Sequence, residues 1–353
     1  MMKPGRGMQQ LEDAEGLLDR RDPGARQLFD AAEACGADPD RCAAGRWMAR
    51  MFAGEFGSAW VESDAIRGRG GADPHRMWTG ESLKDRRIIV RCLHGYGDAV
   101  QFLRYAPQLR SLAAEVTYEV PPALYELAPH IEGVENVITW GRLAPVVPVQ
   151  WDTQIEVMEL PYIFRTEAGD LPIAQNYVHP PQSRCNCVNR KLGRNHPRVG
   201  VVWAGGEWNQ SRSVPFPIFS KLMTDAECEF WSLQGGSAQT DWNQLSPSPR
   251  LRDSADLGDG ILNLACVISQ LDLVITVDTL AAHLAGSMGI PAWVLLQQAA
   301  DWRWMSFGSS SPWYPSLRLF RQHSAGDWRG LIAEVRQELD LWTQLCSRPQ
   351  MIA

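Results

Sequence analysis

The chain has 353 residues and a formal charge of −7, with 45% apolar and 21% charged residues. That length accommodates two medium domains and an appendage, and the composition is that of an ordinary globular protein. The negative balance excludes nucleic acid as a bulk electrostatic partner, and no apolar run approaches the roughly 20 residues a spanning helix needs.

Residues 10–67 read as helical. Leu11, Ala14, Leu17 and Leu18 recur at helical spacing, as do Leu28, Phe29, Ala32 and Ala34. Asp38 before Pro39 signals a helix start, and Trp47, Met48, Met51 and Phe52 line the helix after it. Gly54-Glu55-Phe56-Gly57-Ser58-Ala59-Trp60 turns into a further short helix. Paired helices of this size read as one or two degenerate tetratricopeptide repeats, too few for a free solenoid, so the segment is expected to pack on the rest of the chain. Arg67-Gly68-Arg69-Gly70-Gly71 opens a linker.

From Arg87 strands and helices alternate. A strand over 88–91 leads to a helix from Asp98, then a strand over 116–120 and a short helix at Pro121-Pro122. A strand over 134–139 comes next, and a fourth with its loop over 151–160. The stretch 172–197 has little periodicity and is expected to connect two domains. A second series then begins: strands over 198–204 and 230–233, a helix over 261–269, a strand over 273–277, a helix over 279–288 and a strand over 292–296. A last helix spans about 328–345. The expected fold is α/β, with two Rossmann-like doubly wound domains facing across a cleft. The expected division is a helical remnant with linker over 1–80, a first domain over 81–185, a second over 186–325, and a helix over 326–353 packing back across both.

Three strand-to-helix turns carry candidate chemistry. In Leu93-His94-Gly95-Tyr96-Gly97-Asp98-Ala99-Val100-Gln101, a dinucleotide fingerprint would need a third glycine where Val100 stands. A carboxylate, Asp98, comes directly after the second glycine and would repel a phosphate unless it serves chemistry. In the second domain, Trp203-Ala204-Gly205-Gly206-Glu207-Trp208-Asn209-Gln210-Ser211-Arg212-Ser213 offers a guanidinium fork and a hydroxyl beside glycines that admit a ligand to the backbone, or else an ordinary solvated loop. In Val277-Asp278-Thr279-Leu280-Ala281-Ala282-His283, Asp278 or Thr279 can cap a helix whose first N–H groups suit a diphosphate, with His283 on the same face as Thr279. Ser232-Leu233-Gln234-Gly235-Gly236 ends another strand and suits a nucleoside contact.

The eight cysteines show no Cys-x-x-Cys spacing, and Cys185-x-Cys187 is too close for a zinc site, so no metal is expected. Free thiols and the lack of an apolar leader read as a cytoplasmic protein.

These turns, together with Gln101-Phe102-Leu103-Arg104-Tyr105, Arg212-Ser213-Val214-Pro215, His283-Leu284-Ala285-Gly286 and Asp301-Trp302-Arg303-Trp304, form an ordered set. The set resembles the bacterial tetratricopeptide-repeat glycosyltransferases related to family 9, which includes the lipopolysaccharide heptosyltransferases. The similarity runs over about 45–340. The chain departs from the pattern at His94, at Glu207-Trp208-Asn209-Gln210-Ser211 and at Gln297-Gln298.

The resemblance implies a GT-B fold with the acceptor domain first and the nucleotide-sugar domain second. It implies Asp98 as general base, with Arg212, Asp278, Thr279 and His283 at the donor phosphates and sugar, where the loop reading adds Ser213 as a hydroxyl donor. Gly205 and Gln234 fall on the nucleoside side, and Gly95, Gly97 and Gln101 on the acceptor-side loop. The expected function is inverting, metal-independent transfer from a nucleotide-diphosphate sugar to an unidentified acceptor hydroxyl, with no cofactor. Peripheral membrane contact stays open. The alternative is a catalytically silent binding or scaffold protein of the same fold. A nicotinamide-dependent oxidoreductase fails on Val100 and on Val120 running straight into Pro121-Pro122, which leaves no ribose-binding acid.

Overall fold

The computed structural model describes residues 5–70, 78–140, 150–173, 175–192, 196–207 and 209–346; Gly71 and Trp208 of the motifs above lie outside them. Four helices come first: α1 (Arg6–Asp19), α2 (Ala25–Ala34), α3 (Pro39–Phe52) and α4 (Phe56–Gly68). Asp38 caps α3 by accepting from the N–H groups of Asp40 and Arg41, and Pro39 at the first position loses no helical bond. The last of the four, expected to be short, runs for 13 residues.

The first sheet contains β1 (Arg87–Arg91), β2 (Glu115–Val120), β3 (Asn136–Thr139) and β4 (Thr153–Glu156), all parallel, in the order β3-β2-β1-β4. Helices α5 (Tyr96–Phe102) and α6 (Ala106–Leu112) connect β1 to β2, and a single turn, α7 (Leu160–Ile163), comes after β4. The order reverses at β1, so the chain diverges between β1 and β4. In an open parallel sheet the crevice beyond the strand ends at such a point is where ligands bind.

The second sheet has six parallel strands: β5 (Arg198–Val202), β6 (Glu229–Ser232), β7 (Leu251–Asp253), β8 (Leu273–Val277), β9 (Ala292–Leu296) and β10 (Leu317–Arg321). Their order is β10-β9-β8-β5-β6-β7, which places its reversal between β5 and β8. Every residue of β5, β8 and β9 is buried, as befits strands covered on both faces. Among the described residues five helices serve this domain: α8 (Gln182–Lys191), α9 (Phe216–Phe219), α10 (Ile261–Ile268), α11 (Leu280–Ser287) and α12 (Trp328–Cys346).

Three expectations need correction. The connection over 172–197 holds a helix, α8 (Gln182–Lys191), which packs on α10, so the expected boundary at 185/186 falls inside a helix of the second domain's layer. Strands β7 and β10 are additional edge strands. Among the described residues, the final helix α12 buries Trp328, Leu331, Ile332, Val335 and Leu339 in the second domain's own core beside Phe219, Phe230 and Phe320, rather than in the cluster that both domains share.

The helical segment packs on both α/β domains, as expected. Met51, Phe52, Phe56 and Trp60 belong to one buried cluster that also contains Phe102 of the first domain and Trp302 and Trp313 of the second.

Candidate functional site

The turn after β1 starts its helix earlier than expected. Gly95, with extended backbone, is the N-cap of α5, so Asp98 is the helix's third residue. Its Oδ2 accepts from the Gly95 N–H at 3.0 Å, the reciprocal half of a capping box for which glycine has no side chain. Its Oδ1 meets Nη2 of Arg303, from the second domain, at 2.8 Å. The Asp98 side chain is 24% exposed, and each oxygen keeps one lone-pair direction beyond these partners.

Gln101 is not on the acceptor-side loop. It lies in the second turn of α5 with 0% exposure, neither amide atom finds a hydrogen-bond partner, and its carbonyl accepts from Arg104 Nε at 2.7 Å. Gly97 lies within the helix. A Cβ there would sit 2.6 Å from His283 Cδ2, so its lack of a side chain lets α5 and α11 touch across the domain boundary.

In the second domain, the turns after β5 and β8 flank the reversal point of the sheet. Arg212 folds back over Gly205, where a Cβ would lie 2.2 Å from its Nε, and Ser213 Oγ accepts from the Gly205 N–H at 3.1 Å. Arg212 also lies close enough to Asp278 and His283 to act on both electrostatically. Gln234 differs from its expected role as a nucleoside contact. Its Oε1 accepts from the N–H groups of Trp203 and Ala204 at 3.1 and 2.9 Å, and its Nε2 donates to the Ala204 and Gly235 carbonyls. The amide is spent on shaping the turn.

Thr279 occupies the N-cap of α11, but its hydroxyl pairs with Thr276 Oγ1 at 2.9 Å and no side chain caps the helix, so neither Thr279 nor Asp278 serves as the expected cap. Of the first turn of α11, the Ala282 N–H donates to the Thr279 carbonyl at 3.0 Å, which leaves those of Leu280 and Ala281 to face another acceptor. Burial and the negative charge of Asp301 push the Asp278 carboxyl up to about 6, against Arg212 and Arg303. Burial, then Arg303, Arg104 and Arg212, hold His283 down at about 3, so its ring is neutral. That ring bonds through Nδ1 to the Tyr314 hydroxyl at 3.1 Å and packs on Trp304.

Two residues at the site were not singled out from sequence. Arg303 is 8% exposed and meets Asp301 through Nη1 at 2.8 Å as well as Asp98. Asp301 starts the 3-10 turn Trp302–Trp304 by accepting from the Arg303 N–H at 3.0 Å, so the same short turn aims the guanidinium and anchors it. Arg303 stands within the Asp301-Trp302-Arg303-Trp304 motif, but its partner lies on the other domain. Glu156 ends β4 across the reversal point from β1; its Oε2 accepts from the Met158 N–H at 2.7 Å and its buried Oε1 has no hydrogen bond. Burial raises its carboxyl above the ordinary value, against that N–H.

Among the described residues no three His, Cys, Asp or Glu side chains are grouped to hold a metal ion, and no helix is long and apolar enough to cross a membrane. All eight cysteines are free thiols.

No protein-family model matches the chain. Among curated proteins it is similar to Protein FlbA of Caulobacter vibrioides, 23% identical over 291 residues that cover 75% of this chain and 48% of that protein. The chain thus spans about half the length of the curated relative it matches. Among solved structures it is similar to a glycosyltransferase family 9 protein from Veillonella parvula, with TM-score 0.53 and 14% identity, covering 75% of this chain and 100% of that one. The E. coli ADP-heptose lipopolysaccharide heptosyltransferase II gives TM-score 0.48 and 14% identity over 73% of this chain and 99% of that one. The likeness to the Veillonella protein is one of fold: the chain has the two-domain GT-B architecture of glycosyltransferase family 9.

Proposed function

We propose that this chain is an inverting glycosyltransferase that moves a sugar from a nucleotide-diphosphate sugar to an acceptor hydroxyl without a metal ion. The observation that carries the reading is that the two reversal points face one another. Asp98 from the first domain meets Arg303 from the second, and Arg303 in turn acts on Asp278 at the start of α11.

In the proposed reaction the acceptor oxygen forms a bond to the anomeric carbon from the first-domain side. The bond from that carbon to the diphosphate oxygen breaks, and its electron pair leaves with the nucleoside diphosphate. The acceptor proton passes to an Asp98 oxygen. Arg212, Ser213 and the uncapped first turn of α11 supply positive charge and N–H or O–H donors where the leaving group gains charge. Asp278 beside a diphosphate fits this scheme because its raised carboxyl accepts a proton readily.

Thermal-shift measurements against ADP-, GDP- and UDP-sugars test the donor site. At least one donor is expected to raise the melting temperature, and Arg212→Ala to abolish that rise. No response to any nucleotide sugar would refute the reading. With a responding donor in hand, Asp98→Asn is expected to lower turnover 10²- to 10⁴-fold with donor affinity kept. A donor that binds while wild type shows no turnover would point instead to a silent binding protein.

A further inference from the structure

We propose that Arg303 is a positioning residue that makes Asp98 competent as a base only while the two domains are docked. The inference rests on the glycosyltransferase reading and adds to it a residue from the donor domain that sets the acceptor-side carboxylate.

Three observations carry it. First, the guanidinium spans two carboxylates on different domains, Asp301 through Nη1 and Asp98 through Nη2, both at 2.8 Å. A planar fork held at one end by its own domain dictates where the other end lies. Second, among the described residues Asp98 has one other hydrogen bond, from the Gly95 N–H to its second oxygen. Together these donors fix the carboxylate plane and leave one lone pair on each oxygen for an acceptor hydroxyl. A side chain with one hydrogen bond alone would rotate about it. Third, Arg303 lies beside a stacked aromatic pair, with its Cζ 4.8 Å from the Trp302 ring centre and 5.7 Å from that of Phe102 of the first domain. Its Nη2 also reaches Met158 Sδ of the first domain at 3.8 Å. Separating the domains would remove Phe102, Met158 and Asp98 at one stroke.

This arrangement differs from that of a donor-phosphate ligand. Both terminal nitrogens already face carboxylates, and the buried Nε has no hydrogen-bond partner among the described residues. Arg212 and the start of α11 present charge to the donor, whereas Arg303 presents it to the base. Loss of Arg303 should therefore reduce turnover rather than donor affinity.

The test compares wild type with Arg303→Lys, Arg303→Met, Asp301→Asn, Asp98→Asn and the Arg303→Met/Asp98→Asn double variant. The probe is release of nucleoside diphosphate from the nucleotide sugar that shifts wild type most, with water as acceptor. Arg303→Met is expected to lower kcat about 100-fold with donor KM within about twofold, and Arg303→Lys to recover about tenfold of that loss. Asp301→Asn, which keeps Arg303 in its pocket and serves if the methionine variant does not fold, is expected to lower kcat several-fold at unchanged KM. In the Asp98→Asn background Arg303→Met should cost nothing further, because both act through the same carboxylate. A rise in donor KM matching the fall in kcat/KM, unchanged kcat in Asp301→Asn and Arg303→Lys, or fully additive losses would each overturn the proposal. Wild type that neither binds nor cleaves any nucleotide sugar would overturn the transferase reading itself, and the positioning role with it.

Discussion

Asp278 and His283 sit one turn apart on the donor side, and burial drives them in opposite directions. The carboxyl is pushed up to about 6 and the imidazole down to about 3, so each is steered toward neutrality. The consequence for Asp278 has a definite sign. Its carboxyl holds a proton more tightly in the folded chain than at its ordinary value of 3.8, so it contributes stability fully below about pH 4 and loses that contribution as pH rises through about 6. Asp278→Asn removes the titration while keeping the shape. The variant is expected to be more stable than wild type at pH 7.5, by about 2–3 kcal/mol at most, and to match it at pH 4. Urea unfolding at the two pH values measures the difference; an equal gap at both would refute it. His283 has the opposite slope, losing stability as pH falls from the ordinary histidine value of 6.5 toward 3. It is common to both proteins and drops out of the comparison.

At the scale of elements, the site depends on two short helices, α5 and α11, that touch at Gly97. A methyl group at Gly97 would press on His283, which Tyr314 and Trp304 hold from behind. Gly97→Ala is expected to destabilise the protein by about 1–3 kcal/mol, the usual cost of overpacking. Adding His283→Ala should recover part of that cost, so the two changes are less than additive in urea unfolding. Much of this level was legible in the sequence because central parallel strands must be continuously apolar: β1, β5, β8 and β9 declare themselves, and the turns at their ends then mark the reversal points. What was missed shares a physical cause. β7 is three residues long and only half-buried, and Arg318 of β10 points to solvent, as edge strands permit. In α8 only Cys185 and Val188 are buried, too few to write a periodic stripe. Gln234 and Gln101 looked like ligand contacts because a polar residue at a strand end or helix start reads as available. One is used up by backbone groups, and the other is turned inward. The Arg303–Asp98 pair joins residues far apart in the chain, and no local pattern encodes such a meeting.

For the whole molecule, the decisive feature is the aromatic junction where all three parts meet. Phe56 of the helical segment stacks on Trp313 of the second domain at 5.4 Å between ring centres, and Phe102 of the first domain stacks on Trp302 at 6.4 Å. Trp47 packs edge-on to Trp302 at 5.7 Å. Beneath this layer the fully buried Arg104 donates from the first domain to the Trp313 carbonyl at 2.9 Å and lies over the Tyr314 ring. Ordinary interdomain contacts are polar and allow hinge motion, whereas a shared apolar core resists it. The helical segment and both domains are therefore expected to unfold as one cooperative unit. Trp302→Ala empties the centre of the junction and should cost about 3–5 kcal/mol, the range for removing a large buried aromatic. Because the cost falls on contacts among all three parts, the urea transition should move to lower concentration in one step. Tryptophan fluorescence and circular dichroism should stay superimposed. Two resolved transitions in wild type, or a variant in which only one signal shifts, would show that the parts fold separately. The domain docking on which the Arg303–Asp98 contact depends would then be a loose association rather than a fixed one.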